Sequence, residues 1–149
     1  MSGRAWPASS AGAAMSDTDI RQACTDVASR FFRCLDRRQY DELADLFAPD
    51  GAWIRQGAEL RGRDAIVATL VQRPANLVTR HLLSNVWVDI VTPESVHVHY
   101  DVSVYTQSGT SPPRHAQILS GVDRMIRVRD TWRIERKEAQ PALAFAVPA

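Results

Sequence analysis

Between positions 16 and 36 apolar residues return every three to four places, at Ile20, Cys24, Val27, Phe31 and Leu35. That spacing matches the 3.6-residue period of a helix with one buried face. Ser16 precedes it as an N-cap, and Asp17 and Asp19 fall in the first turn, where the helix dipole favours negative charge. The expected element is an amphipathic helix of about five turns. Residues 39–47 read as a second, short helix with Leu43, Leu46 and Phe47 inward, and Pro49-Asp50-Gly51 is expected to end it and turn the chain. A short strand is expected over 52–56, then a strand end and turn over 59–62. Residues 63–72 carry a third helical pattern, with Ile66, Val67 and Leu70 inward and Pro74 as its stop.

From Leu77 onward the period changes to two. Residues 78–91 read as a strand and 92–95 as a turn. In the next strand Val96, Val98, Tyr100, Val102 and Val104 share one face, and His97, His99, Asp101, Ser103 and Tyr105 share the other. Residues 108–113 read as a loop, 116–129 as a third long strand, Asp130-Thr131 as a turn and 132–137 as a fourth strand. Helices first and a meander of long antiparallel strands afterwards indicate an α+β fold rather than βαβ units.

A chain of 149 residues suits one domain with one sizeable core. A net charge of +1, with arginines scattered among acids, gives no basic stripe for a nucleic-acid backbone or an anionic membrane surface. No apolar run approaches the ~20 residues that span a bilayer. Cys24 and Cys34 share one helix with Cα atoms roughly 15 Å apart, too far to bridge, so two reduced thiols and a cytoplasmic location are expected. The Ala-, Ser- and Gly-rich residues 1–15 are expected to be a disordered extension, 16–141 the domain and 142–149 a C-terminal tail. Met15 is then a candidate natural start, which the intact mass of the native protein tests.

The candidate chemistry centres on Asp36 and His81. A carboxylate that orients an imidazole makes a general base suited to near-neutral pH. Asp36 lies near the C-terminus of the first helix, where the dipole opposes a carboxylate by about 0.3–1 kcal/mol, so something other than helix stability should hold it. The alternative is a solvated acid paired with Arg37 or Arg38. His81 is in phase with Leu83 and Asn85, and its alternative is a strand-edge or core histidine held by one hydrogen bond. Trp53 and Asn85 are candidates to wall a cyclic substrate and to bind its carbonyl or hydroxyl, with a plain core role as the alternative for each. Tyr100 either offers its hydroxyl to a cavity or is a core tyrosine with a satisfied hydroxyl. Lys137 or Arg136 is a candidate anion or oxyanion holder, against the ordinary case of a solvated terminal strand. His97 and His99 share a strand face with Asp101 and Ser103, which reads as an outer side rather than a metal site. The chain has no Gly-x-Ser-x-Gly elbow, no phosphate-cradling glycine loop and no dinucleotide fingerprint, and no metal or cofactor is expected.

The order of elements resembles the SnoaL-like branch of the nuclear-transport-factor-2-like superfamily over residues 17–140. The resemblance is carried by Asp36-Arg37-Arg38, Tyr40-Asp41, Leu46-Phe47-Ala48-Pro49-Asp50-Gly51, the Gly62 turn, Arg80-His81 and Trp132-Arg133-Ile134. It implies a cone-shaped, strongly curved antiparallel sheet of about four long strands plus short ones, with three helices from the N-terminal half enclosing a pocket. Some enzymes of the superfamily (scytalone dehydratase, the hexachlorocyclohexane dehydrochlorinase and the bile-acid dehydratase) share an Asp–His pair. Its acid ends the first helix, as Asp36 does, and its histidine opens a central strand, as His81 does. The resemblance puts the pocket aromatic at Trp53, a substrate-dependent strand position at Val104 and a basic pocket residue near Lys137. The dehydrochlorinase's helix lysine is replaced by Phe31 and no polar group stands at Val104, which argues against the same substrates. The implied function is a cofactor-independent, dehydratase-like lyase or isomerase acting on a small apolar or cyclic organic substrate. The alternatives are a non-catalytic binding or dioxygenase-small-subunit-like assembly protein, and a polyketide-cyclase-like enzyme that does not need His81. The resemblance also implies a homodimer or homotrimer. Because this fold hosts many functions, function must be argued from the site itself.

Overall fold

The computed structural model describes residues 14–145, so the expectations for residues 1–13 and 146–149 lie outside the described residues. Helix α1 (Asp17–Asp36) begins at Ser16, whose hydroxyl accepts the Asp19 N–H at 3.1 Å while the Asp19 carboxylate accepts the Ser16 N–H at 3.4 Å. This reciprocal capping box satisfies amides that the first turn otherwise leaves unpaired. Ile20, Cys24, Val27, Phe31 and Leu35 are all buried, joined by Ala28, Phe32 and Cys34. Full burial of a side chain such as Phe31 stabilises by about 2 kcal/mol. After the Arg37 cap, Arg38 takes a left-handed φ of 58°, which turns the chain into helix α2 (Tyr40–Asp45).

Strand β1 (Phe47–Arg55) departs from the sequence expectation, because Pro49-Asp50-Gly51 lies inside it instead of turning the chain. The physical reason is a bulge. The partners in strand β6 (Thr131–Ala144) advance only from Ile134 to Arg136 while β1 advances from Phe47 to Ala52. The surplus residues bow out of the ladder, which lets Pro49 sit in a strand without breaking a bond. Gly51 is required at the bow, since an added Cβ would stand 2.6 Å from the Ile134 carbonyl oxygen.

Strand β2 (Ala58–Arg61) folds back on β1, and helix α3 (Arg63–Leu70) follows with Ile66 and Leu70 fully buried. Three long strands, β3 (Leu77–Thr92), β4 (Ser95–Ser108) and β5 (Arg114–Val128), lead to β6. The result is a curved, unclosed sheet in the order β2-β1-β6-β5-β4-β3, antiparallel except where β1 meets β6 in parallel. β6 extends well past 137, the expected strand end, because β5 continues to pair with it as far as Gln117↔Ala144. Its pairing with β1 ends at Glu138, so Pro141 falls where β6 has β5 as its sole neighbour and costs no ladder bond on the other side.

α1 lies across β3 and also touches β4 and β6, while α2 and α3 pack on each other. The core forms between α1 and the sheet, with Phe31 meeting Phe32, Phe47 and Trp53 edge to face at centroid distances of 5.1, 6.1 and 5.1 Å. No helix among the described residues is long and apolar enough to cross a membrane.

Candidate active site

The last turn of α1 and the first residues of β3 meet at one end of this core. Two arginines fasten them. Arg38 donates to the Pro74 and Leu77 carbonyls at 2.5 and 2.7 Å, and Arg73 donates to the Leu35 carbonyl at 2.9 Å. The second contact satisfies a carbonyl in the last turn of α1, where positive charge is favoured. These ties bring Asp36 beside Thr79 and His81.

Asp36 then accepts three hydrogen bonds. Its Oδ1 accepts from the Thr79 hydroxyl at 2.8 Å and lies 2.5 Å from His81 Nδ1, and its Oδ2 accepts the His81 backbone N–H at 2.8 Å. Burial opposes ionisation of this carboxyl. The hydrogen bonds from the His81 ring and amide, the charge of the ring and the Thr79 hydroxyl outweigh burial, so the pKa falls below the ordinary carboxylate value. An ionised carboxylate only accepts, so Nδ1 carries a proton, and whenever the ring is neutral the lone pair is on Nε2. Thr79 in turn accepts from Arg73 at 2.9 Å, which completes a chain Arg73–Thr79–Asp36–His81. Asp36 and His81 are each only 10% exposed as side chains, and Phe32 stacks on the imidazole at 5.4 Å with a 25° tilt.

His81 lines a cavity of about 350 Å³ together with Leu35, Trp53, Thr79, Val104 and Leu119. Trp53 and Val104 therefore share a cavity with His81. The other three candidates do not line it. Asn85 is exposed on the outer face and donates to the Asp101 carboxylate at 2.9 Å. A bulge between Ser84 and Trp87, with Asn85 at φ 51°, shifts the phase of β3. Thr79, His81 and Leu83 face inward before the bulge, and Val86, Val88 and Ile90 face inward after it.

Tyr100 and Lys137 face inward but do not line the cavity, and Tyr100 takes the second of its two expected roles, a core tyrosine with a satisfied hydroxyl. The Lys137 ammonium is buried and lies 3.0 Å from both oxygens of Asp123, directly across the β5–β6 ladder. It also donates to the Tyr100 hydroxyl at 2.8 Å, and that hydroxyl donates to Asp123 at 2.8 Å. Burial pushes the Asp123 carboxyl up and the Lys137 amine down, each opposed by the charge of the other. Burial, followed by the Asp123 charge, pushes the Tyr100 phenol well above its usual range. The ammonium is further surrounded by the rings of Phe31, Phe32 and Tyr100, 4.0, 4.5 and 4.8 Å away. This closed cluster braces the core behind the cavity. Arg136 points elsewhere, to Glu59 and Glu138.

Sequence reasoning missed Thr79, Arg73 and Asp123. Asp123 was detectable, since it alternates in phase with Gly121 and Met125 on the inward face of β5. His99 meets Asp89 at 3.0 Å on the outer face, and no group of three or more potential metal ligands exists among the described residues.

A family model described as a SnoaL-like domain matches residues 16–138. No curated protein matches the chain. Solved structures share the fold. A protein from Novosphingobium aromaticivorans, provisionally named a scytalone dehydratase, is 26% identical with a TM-score of 0.73, covering 91% of this chain and 95% of that one. A Catenulispora acidiphila protein in complex with S-DNPA is 21% identical with a TM-score of 0.73, covering 84% and 95%. ActVI-ORFA from Streptomyces coelicolor is 16% identical with a TM-score of 0.72, covering 83% and 97%.

Proposed function

We propose, for a chain that belongs to the SnoaL-like domain family, a cofactor-independent lyase or isomerase activity of the dehydratase type on a small cyclic organic substrate. The observation that supports it most is the 2.5 Å contact between Asp36 Oδ1 and His81 Nδ1 at the wall of the cavity. Fold likeness contributes only the setting, since the fold hosts many chemistries.

In this mechanism the substrate lies between His81, Trp53 and Val104. His81 Nε2 takes a proton from a carbon next to an activating carbonyl, and the electron pair of that C–H bond becomes a new carbon–carbon double bond. In a dehydration the adjacent C–O bond breaks, the imidazolium returns the proton to the departing oxygen, and water leaves. In an isomerisation the same proton returns to a different carbon. Asp36 holds the imidazole by its Nδ1–H and stabilises the positive charge that forms on it. The Thr79 hydroxyl and the His81 amide keep Asp36 ionised and fixed in place. Leu35, Trp53, Val104 and Leu119 give the base an apolar side, which strengthens these interactions.

The test is incubation with a panel of cyclic β-hydroxyketones in deuterated water, followed by mass spectrometry. The expected result is loss of water or deuterium incorporation at the activated carbon, abolished in His81→Gln. Turnover that survives His81→Gln rejects the dyad mechanism.

A further inference from the structure

The cavity that His81 and Thr79 line also carries two guanidinium side chains, Arg55 and Arg73, and the amides of Gln56 and Gln117. Among the described residues no aspartate or glutamate lines it. Arg73 has neutral partners only: the Leu35 carbonyl, the Tyr40 hydroxyl at 3.2 Å and the Thr79 hydroxyl. Arg55 has no carboxylate or hydrogen-bond partner among the described residues. Its guanidinium carbon stands 5.6 Å over the Trp53 ring, itself a wall of the cavity. Two half-buried cations facing one space without an acid are mutually repulsive, and an anion placed between them relieves that repulsion. The direction of the Arg55 pKa agrees, lowered first by burial and then by the charge of Arg73.

We propose that Arg55 and Arg73 form an anion clamp, and that the natural ligand of the cavity is an organic acid, its ring over Trp53 and its carboxylate on the guanidinium pair. This deepens the lyase or isomerase reading and rests on the same cavity. A guanidinium offers paired N–H donors that match a carboxylate's two oxygens. Arg73 would serve both ends of the site, since it holds the ligand directly and reaches Asp36 through Thr79. The ligand acid would thus be registered against His81 by the residue that braces the base.

The test is binding of benzoate and of its neutral isostere benzamide to the whole protein, followed by NMR chemical-shift titration. Benzoate is expected to bind at least about tenfold more tightly than benzamide, with shifts at Trp53 and Arg55, and to weaken as salt rises. Arg55→Gln should remove that preference and Arg55→Lys should keep part of it. Arg55 makes no hydrogen bond to the Asp36 network, so this substitution leaves the brace in place. Equal affinity for the two probes, unchanged benzoate affinity in Arg55→Gln, or no benzoate binding at millimolar concentration each overturns the clamp. The titration requires no turnover. A protein that prefers benzoate but catalyses nothing sinks only the lyase reading, and one that turns over neutral ketones without regard to charge sinks only the clamp.

Discussion

Gly121 faces Tyr100 across the β4–β5 ladder, and a Cβ added to it would stand 2.4 Å from the tyrosine ring. The ring lies flat over the space where a side chain would be. That placement carries its hydroxyl to Asp123 and Lys137, so the glycine is a steric condition for the buried cluster.

Gly121→Ala should therefore destabilise the protein by about 1–3 kcal/mol through overpacking, because the obstacle is an aromatic ring locked at its far end. Urea denaturation checks this. A paired Gly121→Ala/Tyr100→Leu substitution should recover part of the loss, since it removes the colliding ring. A Gly121→Ala protein as stable as the parent contradicts the steric account.

The Lys137–Asp123 pair offers a sharper energetic contrast. Replacing Lys137 with Met leaves the Asp123 carboxylate buried with Tyr100 as its remaining side-chain partner, and should cost about 3–5 kcal/mol. Replacing Asp123 with Leu as well removes the stranded charge and should restore most of the lost stability. Additive losses in the double variant, measured by denaturant unfolding, would show that the ion pair is not the coupling unit.

Much of this architecture is legible in the amino-acid sequence. The buried face of α1 follows from the spacing of Ile20, Cys24, Val27, Phe31 and Leu35, and the inward face of β4 from Val96, Val98, Tyr100, Val102 and Val104. Both are periodic segments free of bulges, where local pattern and tertiary burial agree. Pattern reading stops at irregularities. One extra residue at Asn85 reverses which side chains of β3 face inward, and the bow at Pro49-Asp50-Gly51 looks like a turn because its partner in β6 is far away in sequence. Asp36 and His81 are joined by a family resemblance, since no periodicity rule joins residues on separate elements. Arg73 and Thr79 stayed hidden because their importance lies in whom they touch. The resemblance puts Lys137 near the pocket, and its pairing with Asp123 follows only from the β5–β6 register.

Asn85 provides the test of the β3 bulge. Its φ of 51° is a conformation that asparagine tolerates better than most residues, and its amide donates to Asp101 on the outer face. Asn85→Val should cost roughly 1–3 kcal/mol from backbone strain and the lost hydrogen bond, whereas Asn85→Gly should lose little beyond that bond. Both variants should bind cavity ligands with unchanged affinity. A change in ligand affinity without a change in stability would instead put Asn85 in contact with the ligand.

The acid limb of stability should report the Asp36 network. The folded-state pKa of Asp36 is depressed, so its contribution is present above the ordinary carboxylate pKa and is lost as pH falls through the lower folded value. The wild-type protein should therefore keep this contribution at neutral pH and shed it only in strong acid. Asp36→Asn retains the shape of the side chain but gives up charge-assisted bonds to the Thr79 hydroxyl, the His81 amide and the ring. It should lower stability at pH 7 by about 1.5–3 kcal/mol and flatten the dependence across the acid limb. In the catalytic assay the same substitution should reduce turnover by about 10²–10⁴-fold, because the imidazolium loses its counter-charge and the tautomer is no longer fixed. Urea unfolding at several pH values, run beside the turnover assay, separates the two roles. Identical acid limbs in the two proteins would mean that Asp36 contributes no pH-dependent stability. A full loss of turnover with unchanged stability would confine it to orienting the base.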